Sequence, residues 1–63
     1  MKYKVIASTG TLIQLENMME DYFFGKVFVN LNDNYFYRKE NNYKLSVKYR
    51  FKNNRHQAIR ETE

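Results

Sequence analysis

The ten residues Tyr43–Lys52 alternate without a break, with an aromatic or aliphatic residue at every odd position and Lys, Ser or Arg at every even one. Side chains point to opposite faces along a strand, so this stretch is a strand with an apolar face and a cationic face. Lys44, Lys48, Arg50 and Lys52 then project from one side, with successive even positions ~7 Å apart. The apolar side needs a cover.

The cover is an amphipathic helix earlier in the chain. Leu12, Leu15, Met19, Tyr22 and Phe23 recur three and four apart, Ile13 and Met18 widen the stripe, and Gln14, Glu16, Asn17, Glu20 and Asp21 fill much of the rest. That pattern predicts a helix of about 12 to 14 residues. Thr11 followed by Gln14 has the capping-box form, Thr9 serves if the helix starts a turn earlier, and Gly25 is placed to end it. Ahead of it, Lys2–Ser8 reads as a strand with Tyr3, Val5 and Ala7 on one face. Beyond it, strands Lys26–Leu31, Tyr35–Lys39 and Tyr43–Lys52 are separated by the turn signals Asn32-Asp33 and Asn41-Asn42. Residues 53–63 are polar apart from Ala58 and Ile59, and read as a frayed or short helical tail. The expected fold is α+β in the order β-α-β-β-β. It has one four-stranded sheet, an antiparallel meander of strands two to four, and a single helix on one face. The compact domain spans residues 1–52. Because the helix returns the chain, the first strand should run parallel to the second or the fourth.

A chain of 63 residues is near the lower limit for folding unaided, and with no Cys and a single His it has no disulfide, thiolate zinc site or multi-His site to staple it. Six Tyr and five Phe supply large buried areas instead. Homodimerisation is a further route to buried area and stays open. No run approaches a membrane span, and Met1-Lys2-Tyr3-Lys4 lacks the apolar segment of a signal peptide. The expectation is a cytoplasmic protein with no membrane association and no cofactor or metal. Abundant Asn, Lys and Tyr, whose codons are AT-rich, point to a low-GC bacterium or its phage.

One helix covers one face of a four-stranded sheet. Two-residue turns would set Val29 opposite Phe36 and Phe36 opposite Val47. Val27, Val29, Leu31, Phe36, Leu45, Val47 and Tyr49 then lie under the helix. Phe28, Tyr35, Tyr37, Lys39, Lys44, Ser46, Lys48 and Arg50 face away. Three-residue turns would instead turn Phe36 and Arg38 outward. Rings interleaved with cations suit single-stranded nucleic acid, because bases stack on the rings and Lys or Arg attract phosphates. Charge asymmetry agrees: residues 34–56 hold Arg38, Lys39, Lys44, Lys48, Arg50, Lys52 and Arg55 against Glu40, whereas residues 11–25 hold Glu16, Glu20 and Asp21 and no cation. The expectation is a non-catalytic binding module with Phe28, Tyr35, Tyr37, Lys44, Lys48, Arg50 and Lys52 as contact residues. Its partner is nucleic acid, single-stranded favoured, or else an acidic surface of another protein, as for a phage-type inhibitor. Cross-strand packing and pairing with a second copy compete for the same residues.

Other chemistry is thin. Ser8-Thr9-Gly10-Thr11 lies between strand and helix but lacks the glycine spacing and Lys of a phosphate loop, so it reads as helix capping. His56 has no orienting partner nearby in sequence and reads as solvated. Glu16 and Glu20 read as the wet back of the helix. No enzyme is expected.

Overall fold

In the computed structural model, which describes residues 2–62, the elements follow in the order β1 (Lys2–Thr9), α1 (Leu12–Phe23), β2 (Val27–Asn30), β3 (Tyr35–Arg38), β4 (Lys44–Lys52) and β5 (Arg55–Thr62). The architecture is α+β, one antiparallel sheet with one helix. The sheet has five strands rather than four, in the spatial order β1-β5-β4-β3-β2.

The extra strand is β5, which corrects the reading of residues 53–63 as a frayed or helical tail (Glu63 lies outside the described residues). Asn53 and Asn54 have φ of 55° and 59°, and Lys52 pairs with Arg55 across them. Two successive positive-φ residues between paired strands form the hairpin turn that matches sheet twist, and asparagine tolerates that conformation. Adjacent aliphatics disguise the strand. Ala58 is 0 % exposed and Ile59 4 % exposed, one on each side of the sheet, because β5 is an interior strand flanked by β1 and β4. A strand buried on both faces does not alternate.

β5 also decides the place of β1. Since β1 is antiparallel to β5 and β5 to β4, β1 runs in the same direction as β2 and β4, but it is hydrogen-bonded to neither. It occupies one edge and β2 the other, so α1 carries the chain across the whole sheet. A bulge between Val5 and Ala7 breaks the expected face of Tyr3, Val5 and Ala7. Ile6 and Ala7 pack on the core, while Tyr3 and Val5 lie on the other side of the sheet.

Helix α1 has 12 residues, and Thr11 is its N-cap, its hydroxyl accepting from the Gln14 N–H at 3.1 Å. Thr9 turns its hydroxyl to the Thr11 carbonyl at 2.6 Å. The stop differs from expectation. Phe24, not Gly25, takes the left-handed conformation, with φ 56°. A Cβ at Gly25 would lie 2.9 Å from Nη1 of Arg38, so the tip of that side chain would have to shift. The Arg38 guanidinium donates to the Phe23 carbonyl at 3.0 Å, and so places a cation at the negative end of the helix.

Leu15 and Met19 of α1 bury against Val27, Phe36, Leu45, Val47 and Ala58, with Ile6, Leu12, Phe23, Val29 and Tyr49 packed around them. Val29 lies opposite Phe36 and Tyr35 opposite Lys48, as in the two-residue reading, and Phe36 is buried under the helix. The β3–β4 turn departs from that reading, since a bulge between Tyr35 and Tyr37 sets Tyr37 opposite Lys44 and the connection runs over residues 39–43. Leu31, expected under the helix, sits in the β2–β3 loop and is 65 % exposed.

A basic aromatic sheet face as candidate functional site

With α1 on one side, the opposite side of a five-stranded sheet is bare. Alternation along β4 sends Leu45 and Val47 into the core and leaves Lys44, Ser46, Lys48, Arg50 and Lys52 on the bare side. Cross-strand neighbours on that side are Phe28 with Tyr37, Tyr37 with Lys44 and Tyr35 with Lys48, and Lys48 with Ile59, Arg50 with Gln57 and Lys52 with Arg55. The seven residues singled out from sequence, Phe28, Tyr35, Tyr37, Lys44, Lys48, Arg50 and Lys52, thus share one surface.

Their rings and cations already contact one another. Phe28 and Tyr37 stack with centroids 5.6 Å apart and planes 19° from parallel. The Lys44 ammonium sits 4.2 Å from the Tyr35 centroid. Lys48 reaches toward two rings, 5.7 Å from Tyr35 and 5.9 Å from Tyr3. Such contacts contribute ~0.5–1 kcal/mol each at exposed sites. Arg50 is oriented by its Nε, which donates to the Gln57 side chain at 2.7 Å. Arg55 ties β5 to β1 through the Ser8 carbonyl at 2.8 Å and hydroxyl at 3.0 Å.

Asp33, in the β2–β3 loop, anchors one end of this array. Its carboxylate accepts from the Tyr37 hydroxyl and from the Tyr35 N–H at 3.1 Å, and lies 3.8 Å from the Lys44 ammonium. The Tyr37 hydrogen bond, foremost, holds the Asp33 carboxyl below the ordinary aspartate range. The same bond raises the Tyr37 phenol, since a phenolate beside a carboxylate is disfavoured.

At the other end, a groove of about 290 Å³ runs between Tyr3, Tyr35, Ser46, Lys48 and Glu61, with Ile59 as its floor. Sequence reasoning missed Tyr3, Arg55 and Gln57 as members of this surface, and admitted Ile59 only as a tail residue shielding its rings, not as part of a strand. The available signal was the Asn53-Asn54 dipeptide, the same pair of residues that marks the turn at Asn41-Asn42.

The remaining candidates have structural roles. Glu16 and Glu20, expected to be solvated, accept from the β2 backbone, Glu16 from the Val29 N–H at 3.2 Å and Glu20 from the Val27 N–H at 3.4 Å. Helical i,i+4 spacing thereby matches alternate outward N–H groups of an edge strand, which would otherwise be open to strand addition. His56 is half-buried, sharing a 2.9 Å hydrogen bond between Nδ1 and the Tyr49 hydroxyl and packing on Phe51 at 4.8 Å. Burial raises the Tyr49 phenol. Among the described residues no cluster of His, Asp and Glu could hold a metal ion, and no helix is long and apolar enough to cross a membrane. No protein family model, curated protein or solved structure matches this chain.

Proposed function

We infer that the protein is a small binding module that lays single-stranded nucleic acid across the bare face of its sheet. The observation that carries this reading is the row Lys44, Lys48, Arg50 and Lys52 beside Tyr35 and the Phe28–Tyr37 pair on a face that no element covers. The four cations contact successive phosphates, and the rings receive bases. The Lys–ring contacts do not block this, because they are exchangeable. Drawing Lys44 and Lys48 away from Tyr35 toward phosphates gives up ~0.5–1 kcal/mol per contact, whereas a base stacked on the freed ring contributes ~1–3 kcal/mol. Asp33 holds Tyr37 in place throughout.

The test is fluorescence anisotropy with single-stranded and duplex oligonucleotides at low and raised salt. Four phosphate contacts on a single strand give a slope of log affinity against log salt of about −2.8, so a fourfold rise in salt should weaken binding roughly 50-fold. Replacing Lys48 and Arg50 together by Glu should remove binding and leave the fold intact by circular dichroism. Absence of binding at roughly 50 mM salt, well below the physiological range, with excess protein would defeat the proposal. Retention of an acidic protein after nuclease treatment, without oligonucleotide binding, would transfer the row to a protein partner.

A further inference from the structure

Among the described residues five non-glycine residues have positive φ, and four of them are asparagine: Asn34, Asn42, Asn53 and Asn54. Asparagine tolerates the left-handed region, and a bulky side chain there is an outlier. The fifth is Phe24, at the C-terminus of α1 with φ 56°. Glycine is the usual residue at such a helix end, yet the neighbouring Gly25 does not take that conformation. Nor does the Phe24 ring contribute to packing, since the residue is 95 % exposed. A strained position that carries a large apolar side chain for no return in folding points to use by a ligand.

The surroundings give the ligand's chemistry. A cleft of about 410 Å³ opens beside Phe24, lined by Gly25, Lys26, Arg38, Lys39 and Glu40. Its flanks carry Lys26, Arg38 and Lys39 against Glu40, with Lys26 in an exposed ion pair 3.5 Å from the Glu20 carboxylate. An anchor for a protein pocket is ordinarily ringed by contacts that exclude water, whereas a lone ring between lysines is the pattern that holds a base and its phosphates. The cleft lies at the end of the sheet where the cationic row begins: the Arg38 N–H donates to the Tyr43 carbonyl at 2.9 Å, and the next residue is Lys44.

We propose that Phe24 is a stacking residue for an unpaired base of single-stranded nucleic acid, with Lys26 and Lys39 attracting the adjoining phosphates, as a strand leaves the sheet face past Lys44. This rests on the nucleic-acid reading of that face and extends its footprint around the edge of the molecule.

The experiment compares wild type, Phe24→Gly and Phe24→Trp in anisotropy titrations with single-stranded DNA and RNA oligonucleotides of increasing length, with thermal melts alongside. Glycine relieves the left-handed strain, so Phe24→Gly should melt about 4–8 °C higher. The same variant should bind longer oligonucleotides about 5- to 150-fold more weakly, the range for loss of one stacked base. Its salt slope should be unchanged, because the ring carries no charge. Phe24→Trp should restore or exceed wild-type affinity. If wild type binds and Phe24→Gly binds within twofold of it, this inference fails and the reading of the sheet face stands. A reduced salt slope in Phe24→Gly would also overturn it, by showing that the ring merely positions a cation. If wild type binds no oligonucleotide, both fall together.

Discussion

The two faces of the sheet are held by different physics. Under α1, Leu15, Met19, Phe36 and Val47 are each almost fully removed from solvent, and what binds them is apolar burial with close packing. On the bare side the rings of Phe28, Tyr35 and Tyr37 are half-buried, and what holds them is a chain of stacking, cation–π and hydrogen-bond contacts running from Asp33 to Tyr3. Burial of the first kind is all-or-none, because a core side chain has no alternative partner. Contacts of the second kind are individually weak and can be exchanged for those of a ligand without unfolding the protein. One face sets stability, and the other is the one on which the proposed recognition rests.

That contrast can be broken most severely from the core side. Phe36→Ala should cost about 3–5 kcal/mol. This is comparable to the whole stability of so small a domain, so circular dichroism should find the variant largely unfolded. A folded Phe36→Ala with a sharp melt would mean that the covered face is not the main source of stability.

Ile59 tests the boundary, being buried but on the bare side. Ile59→Ala should cost about 2 kcal/mol, the low end for such truncations, because the flexible Lys48 stem lies opposite Ile59 and can settle into the space. Urea denaturation measures this directly. A loss equal to that at Phe36 would show that the bare face carries a second rigid core.

The carboxylates on the β2 edge come next. Replacing Glu16 and Glu20 together by Ala leaves the Val27 and Val29 N–H groups without their acceptors and breaks the Glu20–Lys26 ion pair, and should cost about 1–2 kcal/mol, at ~0.5–1 kcal/mol per part-buried hydrogen bond. It should also open the edge to strand addition. Sedimentation velocity should then show concentration-dependent self-association absent from the wild type. A monomeric double variant of unchanged stability would make the two carboxylates incidental.

The smallest effect is at Asp33, whose folded-state pKa lies below its ordinary 3.8. A depressed carboxyl contributes stability above its unfolded value and loses it as pH falls through the folded one. The melting advantage of wild type over Asp33→Asn should therefore be full near neutrality and shrink below about pH 4. An advantage independent of pH between 5 and 2 would assign it to loop geometry rather than charge.

Much of this was legible in the chain. Regular alternation over Tyr43–Lys52 and three-four spacing over Leu12–Phe23 identify β4 and α1, since both elements bury a single face and a single face leaves a periodic trace. Val29 opposite Phe36 follows from the turn signal between them. The surface formed by Lys44, Lys48, Arg50, Tyr35 and Tyr37 was readable for the same reason.

What escaped was everything that depends on a strand with two buried faces. Sequence alone determined the helix, the meander of β2 to β4 and which of their side chains share the bare face, because local periodicity encodes which side of an element is dry. Only the tertiary structure decided that Arg55–Thr62 enters the sheet, that β1 pairs with it, and that Glu16 and Glu20 close the β2 edge. Ala58 and Ile59 look like two stray aliphatics until β1 and β4 flank them and each finds its own side. Phe24 escaped for a different reason: which of Phe24 and Gly25 takes the left-handed conformation at the end of α1 leaves no periodic trace in the sequence.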